Sequence, residues 1–171
     1  ANACADDADV TVNQPDELIV TLTPTDLDCF GDGSGEISAS WVGGTGPFDI
    51  YLDGVLYESD VTSPFVFDGL DAGDYNVEVV DANACADDAD VTVNQPDELI
   101  VTLTPTDLDC FGDGSGEISA SWVGGTGPFD IYLDGVLYES DVTSPFVFDG
   151  LAADTYNVEV MDANGCMDDD D

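Results

Sequence analysis

The stretch GEISASWVGGTGPFDIYLDGVLYE, residues 35–58, decides how this chain folds. Ile37, Ala39 and Trp41 alternate with Ser38 and Ser40, and Phe48, Ile50 and Leu52 alternate with Asp49 and Tyr51. Period two is the mark of a half-buried β-strand, because successive side chains leave a strand on opposite faces. The second run turns at Asp53-Gly54, a favoured two-residue hairpin signal, into Val55–Glu58. Outward from this core the pattern continues. Leu18, Val20 and Leu22 give an earlier strand, Phe65 and Phe67 begin a later one, and Tyr75, Val77 and Val79 another. Val10 and Val12 mark a strand that closes a preceding unit. No segment sustains helical spacing. Short strands separated by Gly, Pro, Asn and Asp predict an all-β, immunoglobulin-like β-sandwich. Trp41, Phe48, Phe65, Phe67 and Tyr75 read as core packing, whereas Tyr51 and Tyr57 are candidates for an outer face.

The same pattern occurs twice. Residues 1–70 recur without change as residues 82–151, a period of 81. Divergence follows Leu70 and Leu151, where Asp-Ala-Gly-Asp-Tyr75 becomes Ala-Ala-Asp-Thr-Tyr156. A unit of this size can bury its own core, unlike the shorter units of solenoids. The fold expected is therefore a tandem array of sandwich repeats arranged end to end. Residues 1–17 read as the last strand of a preceding repeat plus a linker, and 18–98 as a complete repeat. Residues 99–171 read as a second repeat, truncated before its last strand. This phase has two readings. Either the chain continues in both directions, or the first strand completes a neighbour's last domain by strand addition.

There are 39 acidic residues and no Lys, Arg or His, for a formal net charge of −39. Phosphate neutralisation needs Lys or Arg, so nucleic acid is excluded as a partner, and direct attraction to an anionic membrane with it. Such a charge with few hydrophobes would indicate disorder, but 43% of residues are apolar and 9% aromatic, which supports a folded core. Self-repulsion then has to be offset by salt or divalent cations.

Four motifs in fixed order resemble a known family. They are Cys29-Phe-Gly-Asp-Gly-Ser-Gly-Glu-Ile37, Gly43-Gly-Thr-Gly-Pro-Phe48, Leu70-Asp-Ala-Gly-Asp-Tyr75 and Asp81-Ala-Asn-Ala-Cys85. Together with Gln14-Pro15 and Gln95-Pro96 they are similar to the SprB-type repeat of gliding adhesins and related giant surface proteins of Bacteroidota. The resemblance implies an extracellular, cell-surface protein exported by the type IX system. The absence of basic residues and Ala84, where the family more often has Gly, depart from its pattern.

Five cysteines in a chain read as secreted suggest disulfides. Because such repeats also occur singly, Cys29–Cys85 and Cys110–Cys166 are the pairs expected, each within one repeat. A simple seven-strand order instead places the first loop and the last turn at opposite ends, which favours Cys29–Cys166. Cys4–Cys29 with Cys85–Cys110 is a third regular pairing. No basic group is present to activate a catalytic thiol.

Asp26, Asp28, Asp32, Ser34 and Glu36, with their counterparts Asp107, Asp109, Asp113, Ser115 and Glu117, place oxygen ligands on glycine-rich loops. Ca²⁺ takes six to eight oxygens, which makes these loops candidate calcium sites. An EF-hand register fails, since it would put Phe30 and Trp41 at ligand positions that require carboxylates. A second acidic cluster, Asp87, Asp88, Asp90, Asn94, Asp97 and Glu98, spans the junction between repeats.

Catalysis is not expected. Without His or Lys only carboxylate pairs could move protons, and the same pair would recur in every repeat. The function expected is a structural stalk or filament of a secreted bacterial adhesin, serving surface attachment or gliding. The alternative is a glycan- or surface-binding module presented by each repeat through Tyr51, Tyr57, Asp53 and Glu58. Expected partners are further repeats of the same chain, other copies in a fibre, and an external surface or glycan.

Overall fold

A computed structural model describes residues 7–170. The described residues form fourteen strands and no helix, in two sets of seven. The first set is β1 (Ile19–Thr25), β2 (Gly35–Val42), β3 (Phe48–Leu52), β4 (Val55–Val61), β5 (Phe65–Leu70), β6 (Gly73–Asp81) and β7 (Ala86–Val93). The second is β8 (Ile100–Thr106), β9 (Gly116–Val123), β10 (Phe129–Leu133), β11 (Val136–Val142), β12 (Phe146–Leu151), β13 (Val158–Met161) and β14 (Met167–Asp170). Each set makes a three-stranded sheet, β1-β2-β5 or β8-β9-β12, and a four-stranded sheet, β4-β3-β6-β7 or β11-β10-β13-β14. This is the strand distribution of an immunoglobulin-like sandwich. The all-β sandwich repeat read from the alternation is the observed fold.

Alternation also selects the buried face. Ile37 and Ala39 are fully buried and Trp41 nearly so, as are Ile50, Phe67, Val77 and Val79. In the second set, Val101, Ala120, Trp122, Ile131, Phe148, Val158 and Val160 belong to one continuous core. Trp41 meets Phe48 edge-on, with ring centroids 5.6 Å apart, and Trp122 meets Phe129 at the same distance. Phe48, Phe65 and Tyr75 flank the core half-buried rather than lying within it. At the β3–β4 hairpin Asp53 and Gly54 have φ of 50° and 73°, the left-handed pair that a type I′ turn requires.

Two expectations are corrected. Val10 and Val12 lie in no strand and are 89% and 92% exposed. The second set does contain its seventh strand, β14, which pairs antiparallel with β13, with Val158 opposite Asp170. Its sequence, Met167 followed by three aspartates, carries no apolar alternation to read.

By its internal contacts the chain separates into two compact units. One takes the chain up to Thr23, Ser38–Val66 and Tyr75–Val91; the other takes Pro24–Ile37, Phe67–Asp74 and the chain from Thr92 onward.

Gly43 and Gly54 separate two roles of glycine. Both have positive φ, but a Cβ on Gly43 would collide with the Glu17 carbonyl, whereas one on Gly54 meets nothing within 4 Å. Gly54→Ala is expected to cost about 1 kcal/mol of backbone strain. Gly43→Ala adds a clash with backbone that cannot rotate away, and urea denaturation should show a clearly larger loss.

Candidate functional site: the cysteine loops and their carboxylates

The loop between β1 and β2 is held by its own polar groups. Asp32 is its hub: Oδ2 accepts the N–H of Cys29 at 3.0 Å, and Oδ1 accepts the N–H and hydroxyl of Ser34 at 3.0 and 2.8 Å. Ser34 Oγ in turn accepts the N–H of Asp28 at 2.8 Å. Asp113 repeats the arrangement with Cys110 and Ser115, and Asp109 repeats that of Asp28. These bonds lower the carboxylate pKa values of both hubs, chiefly through the Ser34 N–H for Asp32 and the Ser115 hydroxyl for Asp113.

The other residues read as calcium ligands are spread over different tasks. Asp26 Oδ1 accepts the backbone and side-chain N–H groups of Asn94, at 2.8 and 3.1 Å. Asp28 offers its backbone carbonyl to Asn164 Nδ2 at 3.0 Å. Glu36 and Glu117 stand exposed on β2 and β9, and Asp107 is exposed beyond the end of β8. Among the described residues no group of three or more acidic, cysteine or histidine side chains gathers where one metal ion could be held. The second acidic cluster also faces hydrogen-bond donors. Asp87 Oδ2 accepts the N–H of Val20 on β1 at 2.7 Å, while Asp88 and Asp90 share the Asn76 side-chain amide at 2.9 and 2.8 Å. Asp168 does the same for Val101 on β8, at 2.7 Å.

The carboxylates that sequence reading passed over are Asp81 and Asp162, the buried charged residues of the described chain, at 5% and 4% exposed. Asp81 accepts the N–H groups of Thr45, Asn83 and Cys85 at 2.9, 2.8 and 2.9 Å. Asp162 repeats this with Thr126, Asn164 and Cys166. The Cys85 N–H is the main reason that the Asp81 pKa is lowered. The aspartate ties the turn before the last strand to the β2–β3 turn. Its place two residues before Asn in Asp-Ala-Asn-x-Cys is a sequence signal that marks it.

That turn carries the cysteine. Cys166 is bonded to Cys29, with S–S 2.06 Å and Cα atoms 5.6 Å apart, and Cys85 and Cys110 are exposed thiols. The expected pairs within each repeat, Cys29–Cys85 and Cys110–Cys166, are therefore corrected to the alternative Cys29–Cys166. The reason is topological. The first loop follows β1, and the last turn precedes β7, so seven strands place them at opposite ends of one sandwich. Cys4 lies outside the described residues.

The SprB repeat family model matches the chain at two places, residues 21–56 and 102–137, the same segment in both copies. Each copy thus carries an SprB repeat, in agreement with the resemblance read from its motifs. No curated protein matches the chain. Among solved structures the chain is similar to the central fibronectin-III array of RIM-binding protein, at 15% identity and a TM-score of 0.30. The similarity covers 91% of this chain and 60% of that one.

Two outcomes follow from the carboxylate bonds. Asp81 has a lowered pKa in the folded state, so its stabilisation is complete above the unfolded value of about 4 and disappears as pH falls through the folded one. Asp81→Asn should lower the melting temperature at pH 7, and the gap to wild type should close in acid; a pH-independent gap would disprove the charge-dependent role. Calcium and monovalent salt at matched ionic strength should raise the melting temperature equally, with no effect of EDTA. A calcium-specific rise would assign the loop oxygens to the metal instead.

Proposed function

We propose that the chain is a spacer segment of a secreted, cell-surface adhesin, built to transmit tension between more distant parts of the protein during surface attachment or gliding. The observation that carries this reading is the Cys29–Cys166 disulfide, which joins the first copy of the repeat to the second. A tie between consecutive copies resists extension of everything it encloses, and an oxidising, extracellular setting is where such a bond persists. SprB repeats occur in cell-surface proteins, which supports the same location. Near-exact duplication suits a spacer, whose work is done by length. The charge of −39 keeps neighbouring spacers apart in saline surroundings.

The rival reading, a glycan-binding face, has less to rest on. Tyr57 is 47% exposed, but its ring meets Phe65 edge-on at 5.9 Å, and Tyr138 meets Phe146 and Phe148 at 5.9 and 4.8 Å. These rings lean on the next strand, β5 or β12, which belongs to the other sheet of the same sandwich, instead of standing clear as a sugar platform. Catalysis is not part of this reading, since a sequence without His or Lys leaves only carboxylates to move protons.

Single-molecule stretching decides the matter. The disulfide spans a sequence separation of 137 residues. Its reduction should therefore release roughly 450 Å of additional contour length at full extension. Equal contour lengths with and without reductant would contradict the spacer reading, and saturable binding on a glycan array would favour the rival.

A further inference from the structure

The turn before the last strand is built on the same bonds in both copies and differs at one residue. It reads Asp81-Ala-Asn-Ala-Cys85 in the first copy and Asp162-Ala-Asn-Gly-Cys166 in the second. The aspartate carboxylate accepts the N–H of Asn83 at 2.8 Å and that of Asn164 at 2.9 Å. The aspartate carbonyl accepts the N–H of the next residue along, Ala84 at 2.9 Å and Gly165 at 3.1 Å. Ala84 and Gly165 both have positive φ, 62° and 86°. Asn83 and Asn164 are both exposed. The contrast between the turns is the methyl group that Ala84 carries and Gly165 lacks.

That methyl group has a chemical consequence. Asparagine is thermolabile because the backbone N of the following residue attacks its side-chain amide carbon. A side chain on the attacking residue crowds this approach, and glycine has none. Asn164-Gly165 is the open case and Asn83-Ala84 the crowded one. The fold, however, holds both reacting groups of the open case on other partners. Gly165 N–H is on the Asp162 carbonyl, and Asn164 Nδ2 donates to the Asp28 carbonyl at 3.0 Å. Asp28 precedes Cys29, which the disulfide joins to Cys166 one residue beyond Gly165.

We propose that Asn164 is a site of spontaneous deamidation, restrained by the turn that Asp162 builds and by the disulfide beside it. Gly165 N gives its proton to hydroxide and bonds to Asn164 Cγ. The Cγ–Nδ2 bond breaks, and Nδ2 takes a proton from water and leaves as ammonia. Water then opens one of the two C–N bonds of the resulting cyclic imide, which leaves aspartate or isoaspartate at position 164. The net change consumes one water and releases one ammonia, with no oxidant or reductant.

The product alters the contact it came from. A carboxylate at this position has no N–H for the Asp28 carbonyl, so acceptor faces acceptor. Isoaspartate also adds a methylene to the backbone between the N–H groups of Asn164 and Cys166, which share Asp162 Oδ1. Deamidation therefore loosens the loop contact next to the disulfide. This inference does not rest on the adhesin reading.

The test ages the full, oxidised chain in mildly alkaline buffer and digests it with pepsin, which needs no Lys or Arg. Mass spectrometry should show Asn164 converting to mixed aspartate and isoaspartate many-fold faster than Asn83. Reducing the disulfide should speed conversion of Asn164 about tenfold, the effect of one lost hydrogen bond on an opening equilibrium. Gly165→Ala should slow Asn164 to the rate of Asn83, and Ala84→Gly should speed Asn83. A Cβ on Gly165 meets nothing within 4 Å, and the first copy already carries alanine there, so the first variant keeps the turn. Asn164→Asp should lower the melting temperature of the oxidised chain. Equal conversion of the two asparagines would overturn the proposal, as would an Asn164 that stays intact after reduction. So would a rate indifferent to reduction or to Gly165→Ala, or an Asn164→Asp chain that melts like wild type.

Discussion

The carboxylate of Asp81 accepts three backbone N–H groups from two turns, and bonds of this kind carry the structure. A chain of 39 acids without Lys, Arg or His can form no side-chain ion pair. A carboxylate that the fold draws inward must be answered by amides and hydroxyls, or else it stays costly. Among the described residues no buried side-chain polar atom lacks a partner. Asp32 and Asp113 organise the first loops, Asp81 and Asp162 the last turns, and Asp87 and Asp168 accept N–H groups of β1 and β8. That last arrangement also covers part of the sheet edge, where open N–H groups invite pairing with other chains.

Much of the sandwich was legible in the sequence because burial acts on one residue at a time. Ile37, Ala39 and Trp41 face inward for the reason that Ser38 and Ser40 do not, and period two records it. Asp53-Gly54 reads as a hairpin because few residues tolerate positive φ. The candidate site was harder to read. Whether an aspartate in a glycine-rich loop holds a cation or an amide depends on which donors the folded loop brings near, and composition is the same in both cases. Asp81 continues the inward alternation of Val77 and Val79 at the end of β6, but its charge makes it read as the start of the turn that follows. The disulfide depends on which ends of the strands approach one another, a property of topology that alternation does not encode.

Identical sequence did not produce identical burial. Leu27 is buried and Leu108 is half-exposed, although residues 1–70 and 82–151 are the same. In the first copy Val93 of β7, 1% exposed, packs beside Gly35. A residue's burial is thus set by its neighbours in space and not by its own stretch of sequence. The cysteines obey the same logic, since the bond that forms needs one partner from each copy.

The central claim is that the repeats are tied to one another and not each to itself. Peptide mapping of the folded, oxidised chain under non-reducing conditions tests this directly. The account predicts a linked pair containing Cys29 and Cys166. Recovery of Cys29 linked to Cys85, or of Cys110 linked to Cys166, would contradict it.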